Sequence, residues 1–181
     1  MKNILKFILL ISLLITIGCV GVEKIETDVI EDINYFRPLY HNEIAIFPTY
    51  KYLGSKSVNI EKSIAIREYH VWKHNNTDKY ILITTLRPKD GTFKKDIKWI
   101  NRKNTIYSQG NIVAYNTVHK RAATIIYELG GSLPDCLIIT QEFYFHEKEV
   151  LYKSLIVPDE FCAEEATNVV RELNRVANMQ P

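Results

Sequence analysis

The alternation of apolar and polar positions predicts two β-hairpins. Residues 63–73 and 79–87 are rich in Ile, Tyr, Trp and Thr and flank the polar loop 74–78, which is the pattern of two strands and their turn. Residues 137–145 and 150–157 repeat this pattern around a short charged turn. The alternation is incomplete in the first hairpin, which indicates that both of its faces are partly covered.

A helical period replaces the strand period in two places. Residues 112–129 carry apolar side chains at intervals of three and four and are followed by Gly130 and Gly131, which favour the end of a helix. Asp159 can cap a final helix with one apolar side. The positions on that side are Ala166, Val169, Val170, Leu173, Val176 and Ala177.

The remaining segments complete an α+β pattern. Residues 44–53 predict an extended segment interrupted by Pro48, which makes it an edge strand at best. Short strands are predicted near 97–101 and 105–108, after a turn at 88–91. Strands and helices do not alternate as a doubly wound parallel sheet requires, so we expect a mainly antiparallel sheet with two amphipathic helices packed on one face.

The first nineteen residues have the pattern of an export signal. Lys2 and Lys6 precede an apolar run over 7–17 that ends at Gly18 and Cys19. The uncharged stretch that begins after Lys6 is 16 residues long, short of the roughly 20 that a membrane-spanning helix needs. A basic start, a short apolar core and a small residue before the break are typical of a cleaved signal peptide.

The end of this segment, Thr16-Ile17-Gly18-Cys19, resembles the lipobox of a bacterial lipoprotein precursor. The lipoprotein class favours Leu where this chain has Thr16. The resemblance implies cleavage before Cys19, which would carry a thioether-linked diacylglycerol and usually an N-acyl chain such as palmitate. It implies attachment to the bacterial cell envelope and no particular activity. An ordinary secreted protein cut near Gly18 and an uncut N-terminal anchor are the alternatives.

The resemblance implies a signal peptide at 1–18 and a lipidated N-terminus at Cys19. The pattern of strands and helices adds a tether that extends over 19–42 and a single α+β domain at 43–181. The tether is acidic, and a short helix through Val29, Ile30 and Ile33 is its alternative. Val20 and Gly21 follow Cys19, so the Asp that retains many enterobacterial lipoproteins at the inner membrane is missing. This favours the outer membrane, facing the periplasm, in a Gram-negative cell.

The charge of the mature chain argues against nucleic-acid binding. Removing Lys2 and Lys6 leaves 23 − 2 = 21 basic residues against 21 acidic ones, so the formal charge falls from +2 to about zero. A general nucleic-acid binder needs a strong basic excess to neutralise phosphates.

Two cysteines remain once Cys19 is assigned to lipid. Cys136 and Cys162 are 26 positions apart, and in an oxidising envelope we expect them to form a disulfide. The alternative is a reactive thiol at Cys162, because the nearby helix start would lower its pKa. With His146 or His119 as base, that thiol would make the protein an envelope hydrolase or another thiol-dependent enzyme.

A basic and aromatic segment is the first candidate for a binding surface. Between residues 87 and 103 there are seven basic residues against two acidic ones, with Phe93 and Trp99 interleaved. Such a patch could hold an anionic lipid, an acidic polysaccharide or an acidic protein, and a solvated loop with Trp99 in the core is the alternative. The predicted binding residues are Lys94, Lys95, Lys98, Trp99, Arg102 and Lys103.

Other chemistry has little support in the sequence. The densest group of metal-ligand types is Glu142, His146, Glu147 and Glu149, without an HExxH or CxxC element, and we predict no metal and no cofactor. Ser132 lacks the GxSxG context of a hydrolase nucleophile. The sequence therefore favours a non-catalytic, lipid-anchored envelope protein that binds another envelope component or serves a structural role.

Overall fold

A computed structural model of the chain describes residues 35–59, 64–94, 105–159 and 166–179. Several predictions from the sequence fall outside these ranges. They are the signal peptide, Cys19 and the first part of the tether, the strand at 97–101, residues 95–103 of the basic segment, and Cys162.

Ten strands and two helices occur in the described ranges. In chain order they are β1 Tyr35–Phe36, β2 Ile44–Ile46, β3 Tyr50–Asn59, β4 Ala65–His74, β5 Tyr80–Pro88, β6 Tyr107–Gln109, β7 Ile112–Tyr115, α1 Lys120–Glu128, β8 Leu137–His146, β9 Glu149–Pro158, α2 Ala166–Val176 and β10 Ala177–Met179. Seven strands form one sheet in the order β3-β4-β5-β9-β8-β7-β6, and three form a small sheet in the order β1-β2-β10. Every pairing between these strands is antiparallel, so the predicted α+β class with a mainly antiparallel sheet is confirmed.

Both predicted hairpins are present at the centre of the large sheet. β4 pairs with β5 around the polar loop, and β8 pairs with β9 around a two-residue turn at Glu147 and Lys148. β5 also pairs with β9, which joins the hairpins into one sheet. Every residue of β5 from Tyr80 to Leu86 is buried, so both faces of this strand are covered as predicted.

The α1 helix covers one face of the large sheet. Val71, Tyr80 and Leu82 lie on this face and pack with Ile125 and Ile126 of α1. Side chains alternate between faces along a strand, so the intervening residues of β4 and β5 must point to the opposite side. We call the side that α1 covers the α1 face.

The α2 helix covers the opposite face, which we call the α2 face. Trp72, Ile81 and Ile83 lie there and pack in one cluster with Leu173 and Val176. The predicted packing of both helices on one face is therefore not confirmed. Because β5 and β9 carry apolar residues at successive positions, each face of the sheet needs its own cover, and the two helices divide that task.

The first eight described residues, 35–42, form part of the fold. β1 pairs with β2, and Phe36 packs against the core beneath the α2 face. We call residues 35–42 the strap. The predicted tether extends to residue 42 and the predicted domain begins at residue 43, so the folded region reaches further towards the N-terminus than predicted.

The strand predicted at 44–53 is two strands in two different sheets. β2 ends at Ile46, the chain turns at Pro48, and β3 then runs along the edge of the large sheet to Asn59. A bulge between Tyr52 and Gly54 bends β3, and Gly54 has a φ of 140° that side-chain-bearing residues rarely adopt.

The predicted helix at 112–129 is shorter than expected. Residues 112–115 form β7 and pair with β8, and the helix begins only after His119, whose ring accepts a hydrogen bond from the Arg121 amide. A short strand and a loop thus reproduced helical spacing by chance. The predicted end is correct, since Gly130 follows the helix with a φ of 81°. Ala177, assigned to the last helix, instead begins β10 opposite Ile46.

Candidate functional site

Ionisable and polar side chains concentrate on the α2 face, at the end that the strap crosses. Strand register explains how they come together, since His70, Ile83, Lys153 and Glu142 stand side by side across β4, β5, β9 and β8. The neighbouring row runs from Glu68 through Thr85 and Leu151 to Tyr144. We call the polar members of these rows the polar cluster. They are Glu68, His70, Thr85, Glu142, Tyr144 and Lys153.

One part of the polar cluster is a line of hydrogen bonds through His70. The Tyr52 hydroxyl lies 3.0 Å from His70 Nδ1, and His70 Nε2 lies 3.4 Å from Glu68 Oε1. Arg87 Nη2 donates to the other oxygen of Glu68 at 2.6 Å. The His70 and Glu68 side chains are only 10% and 13% exposed, so the centre of this line is shielded from solvent, while Arg87 reaches the surface.

The pKa values in this line follow from its contacts. The hydrogen bond from His70 and the nearby charge of Arg87 lower the pKa of Glu68, in spite of the opposing effect of burial. Burial raises the pKa of the Tyr52 hydroxyl. Glu68 is therefore held as a carboxylate and Tyr52 as a neutral phenol, which suits a structural hydrogen bond and not an activated tyrosine nucleophile.

The second part of the polar cluster is a buried ion pair. Lys153 Nζ lies 2.8 Å from Glu142 Oε2, and the two side chains are 2% and 12% exposed. The ammonium also lies 3.5 Å from Asn174 Oδ1 on α2 and over the ring of Tyr144. Asn111 Nδ2 donates to the other oxygen of Glu142 at 3.4 Å. These contacts offset part of the cost of burying the two charges.

Tyr144 borders this pair and stays protonated. Burial, with the adjacent Glu142 carboxylate, raises the pKa of Tyr144 well above its ordinary value. A phenol in this state donates hydrogen bonds and supplies an apolar ring, but it is a poor proton acceptor.

The strap fastens onto the turn between β8 and β9. The Tyr40 amide donates to Glu149 Oε2 at 3.1 Å, and His41 Nε2 donates to the Glu149 carbonyl at 3.0 Å. The Tyr40 ring stacks on His146 at 4.9 Å, and Phe36 meets His70 at 4.6 Å. The strap therefore crosses the polar cluster from the His70 side to the β8–β9 turn.

Buried polar atoms without a protein partner also lie on the α2 face. Within the described ranges they include Tyr50 Oη, Trp72 Nε1 and Thr140 Oγ1. The register of the strands places all three residues on the same side of the sheet as Ile81 and Leu155. The α2 face thus holds the buried ion pair, the line through His70 and these unpartnered polar atoms, and it is the candidate site of this domain.

The residues considered for metal binding are used in other contacts. Glu142 and His146 share a face of β8, as the strand period predicted. Glu142 forms an ion pair with Lys153, and the Glu149 carboxylate accepts a hydrogen bond from the Tyr40 amide. Glu147 lies in the turn. No group of three His, Cys, Asp or Glu side chains in the described ranges is placed to hold a metal ion.

The two histidines considered as catalytic bases have one ring nitrogen occupied. His119 Nδ1 accepts from the Arg121 amide at 3.3 Å, and His146 Nδ1 accepts from the Lys148 amide at 3.2 Å. A neutral imidazole that accepts at Nδ1 carries its proton on Nε2, so neither ring offers a free lone pair while these bonds hold. Their proposed partner, Cys162, lies outside the described ranges.

The described part of the basic segment contributes to the core and to an ion pair. Phe93 is buried and packs with Leu86 and Val150, so it is not part of an open aromatic surface. Arg87 is bound to Glu68. Lys94 is exposed and is the one member of the predicted patch in the described ranges, since Lys95, Lys98, Trp99, Arg102 and Lys103 lie outside them.

Cys136 lies directly before β8, next to the end of β9. Its carbonyl accepts a hydrogen bond from the Asp159 amide at 3.1 Å. Cys162 is three residues after Asp159, a distance of at most about 11 Å in an extended conformation. The expected disulfide stays a prediction, as does the capping role of Asp159, because residues 160–165 lie outside the described ranges.

The two centres of the polar cluster, His70 and Lys153, are not among the residues predicted for a site. A signal for Lys153 is present in the sequence, since a single lysine interrupts a mainly apolar strand, and pairing around the turn at 147–148 places it opposite Glu142. The two-residue spacing of Glu68 and His70 likewise puts them on one face.

Comparison of the chain with protein-family models, with curated proteins and with solved structures finds no match. In the described ranges, neither helix is long and apolar enough to cross a membrane.

The buried ion pair yields a stability prediction. Lys153→Met leaves the Glu142 carboxylate buried without its cation, and we expect the free energy of unfolding to fall by about 3 to 5 kcal/mol. Adding Glu142→Leu should restore most of the loss, because the uncompensated charge is then gone. Urea unfolding of the single and double variants measures both effects.

The exposed pair of Lys56 and Glu128 is the matched control for this experiment. Lys56→Met should cost less than about 1 kcal/mol. If Lys153→Met costs no more than Lys56→Met, the assigned role of the buried pair is wrong.

The lowered pKa of Glu68 yields a pH prediction. A carboxylate with a lowered folded pKa adds stability above its unfolded pKa, about 4.3, and this stability is lost as the pH falls through the folded value. Glu68→Gln should therefore be less stable than the parent at pH 7, and the difference should narrow below about pH 4. Urea unfolding at several pH values tests this, with Glu128→Gln as control. A difference that is constant from pH 7 to pH 3 would contradict it.

Proposed function

We propose that this chain is a lipid-anchored protein of the bacterial cell envelope whose α+β domain has a non-catalytic binding or structural role. The observation that carries the proposal is the N-terminal sequence, in which two lysines, an apolar run and Thr16-Ile17-Gly18 precede Cys19. Acylation at Cys19 with two or three chains would hold the protein durably, since each buried methylene contributes about 0.8 kcal/mol.

The position of the strap supports this arrangement. Tyr35, the first described residue, is 16 residues after Cys19, so an extended linker spans at most about 58 Å. A lipid on Cys19 would keep the folded domain within that distance of the bilayer. The pairing of β1 with β2 fixes the point at which the linker leaves the domain, which is Tyr35.

The chemistry of the polar cluster supports a role without catalysis. Glu142 and Lys153 bind each other, and Glu68 is engaged by His70 and Arg87. Catalytic groups are more often set with pKa values near the working pH, whereas here Tyr144 is held neutral and Glu68 ionised. We infer that the polar cluster holds the strap and α2 in a defined position on the sheet.

Three further features belong to the same proposal. Cys136 and Cys162 form a disulfide that links the start of β8 to the segment before α2, and this is favoured by the bond between Cys136 and Asp159. The segment 94–103 contacts an anionic envelope component or an acidic protein. In a Gram-negative cell the protein resides at the outer membrane and faces the periplasm.

The intact mass of the protein, extracted from its own membranes and alkylated without reduction, tests the proposal. We expect a chain that begins at Cys19, carries a diacylglyceryl group with or without an N-acyl chain, and has no alkyl adducts. Reduction before alkylation should add two adducts, one for each cysteine of the disulfide. The Cys19→Ala variant is the control and should lose the acyl mass and the membrane attachment.

Other masses would overturn separate parts of the proposal. An unacylated chain would remove the lipid anchor. An acylated chain with two alkyl adducts before reduction would remove the disulfide and favour the thiol-dependent enzyme with Cys162 as nucleophile.

A further inference from the structure

Exposed large apolar side chains are concentrated beside the strap. The described ranges contain seven of them, and four fall within residues 35–47. They are Tyr35 at 51% exposure, Leu39 at 65%, Tyr40 at 43% and Phe47 at 41%. Single exposed apolar residues need no explanation, but four within thirteen consecutive residues call for one.

The fold holds these side chains outwards. Phe36 and Ile44 are paired across β1 and β2 and belong to the core cluster, so their neighbours Tyr35 and Ala45 point to the outer side of the small sheet. Phe47 lies two residues after Ala45 and therefore on the same outer side. Its amide donates a hydrogen bond to the Val176 carbonyl at 2.8 Å.

The other two side chains are fixed by the bend of the strap. The Tyr40 amide is held by Glu149, and its ring rests on His146 while remaining 43% exposed. Leu39 precedes this anchored residue and has the largest exposed fraction of the four side chains. The exposed side chains therefore lie on or next to backbone that hydrogen bonds hold in place.

We propose that this surface, formed by Tyr35, Leu39, Tyr40 and Phe47, lies against the lipid bilayer that holds the acyl chains of Cys19. The inference rests on the proposed lipid anchor. Aromatic rings favour the level of the headgroups and leucine the adjoining acyl chains, so the four side chains match the composition of an interfacial contact. We call them the membrane surface.

Basic side chains border the membrane surface. Arg37 is exposed within the strap and pairs with Glu43, and the guanidinium of Arg175 lies over the Phe47 ring at 5.7 Å. Guanidinium groups at this position can contact lipid phosphates while their stems cover apolar surface.

Chain length favours the bilayer as the occupant. Tyr35 belongs to the membrane surface of the protein, and it lies only 16 positions after Cys19 in the chain. A short tether gives the surface a millimolar effective concentration at the bilayer, so that a contact too weak for free binding becomes populated. The acidic residues of the linker disfavour anionic headgroups, and we therefore expect contact with zwitterionic lipid.

Spin labels on the intact acylated protein in phosphatidylcholine vesicles test the inference. Labels are attached in separate variants at Leu39→Cys and Phe47→Cys, and Tyr127→Cys on α1 is the matched control. Tyr127 is 54% exposed and belongs to the helix that covers the other face of the large sheet. Accessibility to dissolved oxygen and to a water-soluble nickel complex is measured for each label.

We expect a severalfold higher ratio of oxygen to nickel accessibility at Leu39→Cys and Phe47→Cys than at Tyr127→Cys. If the protein floats with the vesicles and all three labels behave as water-exposed, the proposed contact of the membrane surface with the bilayer is wrong, while the lipid anchor stands. If the parent protein does not float with the vesicles, the anchor itself fails and the inference fails with it. The use of two labelled positions guards against a local effect of either substitution.

Discussion

The structure depends on covering both faces of the central hairpin strands. β5 is buried from Tyr80 to Leu86, and β9 is buried at nearly every position from Glu149 to Val157. An antiparallel sheet can leave one face in water only when polar and apolar residues alternate, which these strands do not do. The α1 helix covers one face, and α2, the small sheet and the strap cover the other.

The two covers differ in kind. The α1 face is closed by one helix, and its buried polar residues Thr84 and Ser154 are uncharged. The α2 face instead contains the Lys153–Glu142 pair and the line from Tyr52 to Arg87. Buried pairs of this sort add little net stability over apolar packing, but their geometry can select one arrangement among several. On this account the polar cluster positions the strap, which leads from the folded domain towards the proposed lipid anchor.

The sequence predicted the parts of the fold that depend on local pattern. Both central hairpins and the apolar side of α2, through Val169, Leu173 and Val176, follow from side-chain periodicity. The end of α1 follows from Gly130 in the same way. These features need only the intrinsic preferences of neighbouring residues.

Features set by distant contacts were not predictable in this way. The second half of β3 has a Gly and Ser composition that disfavours strands, and it is extended because it pairs with β4. β7 is a strand because it pairs with β8. The strap is held in place because it pairs with β2 and donates a hydrogen bond to Glu149. Likewise Lys153 and His70 lie together because the register of four strands places them in one row across the sheet.

The most direct test of this account is residue-resolved amide hydrogen exchange in the strap. The Tyr40 amide donates to the buried carboxylate of Glu149, and the Phe47 amide, bound to Val176 beside β2, serves as the internal reference. The account predicts slow exchange at Tyr40, comparable to that at Phe47, and faster exchange at Tyr40 alone in a Glu149→Met variant, which lacks the acceptor oxygens. Exchange at Tyr40 at the rate of an unstructured peptide, with Phe47 protected, would show that the strap is not part of the fold.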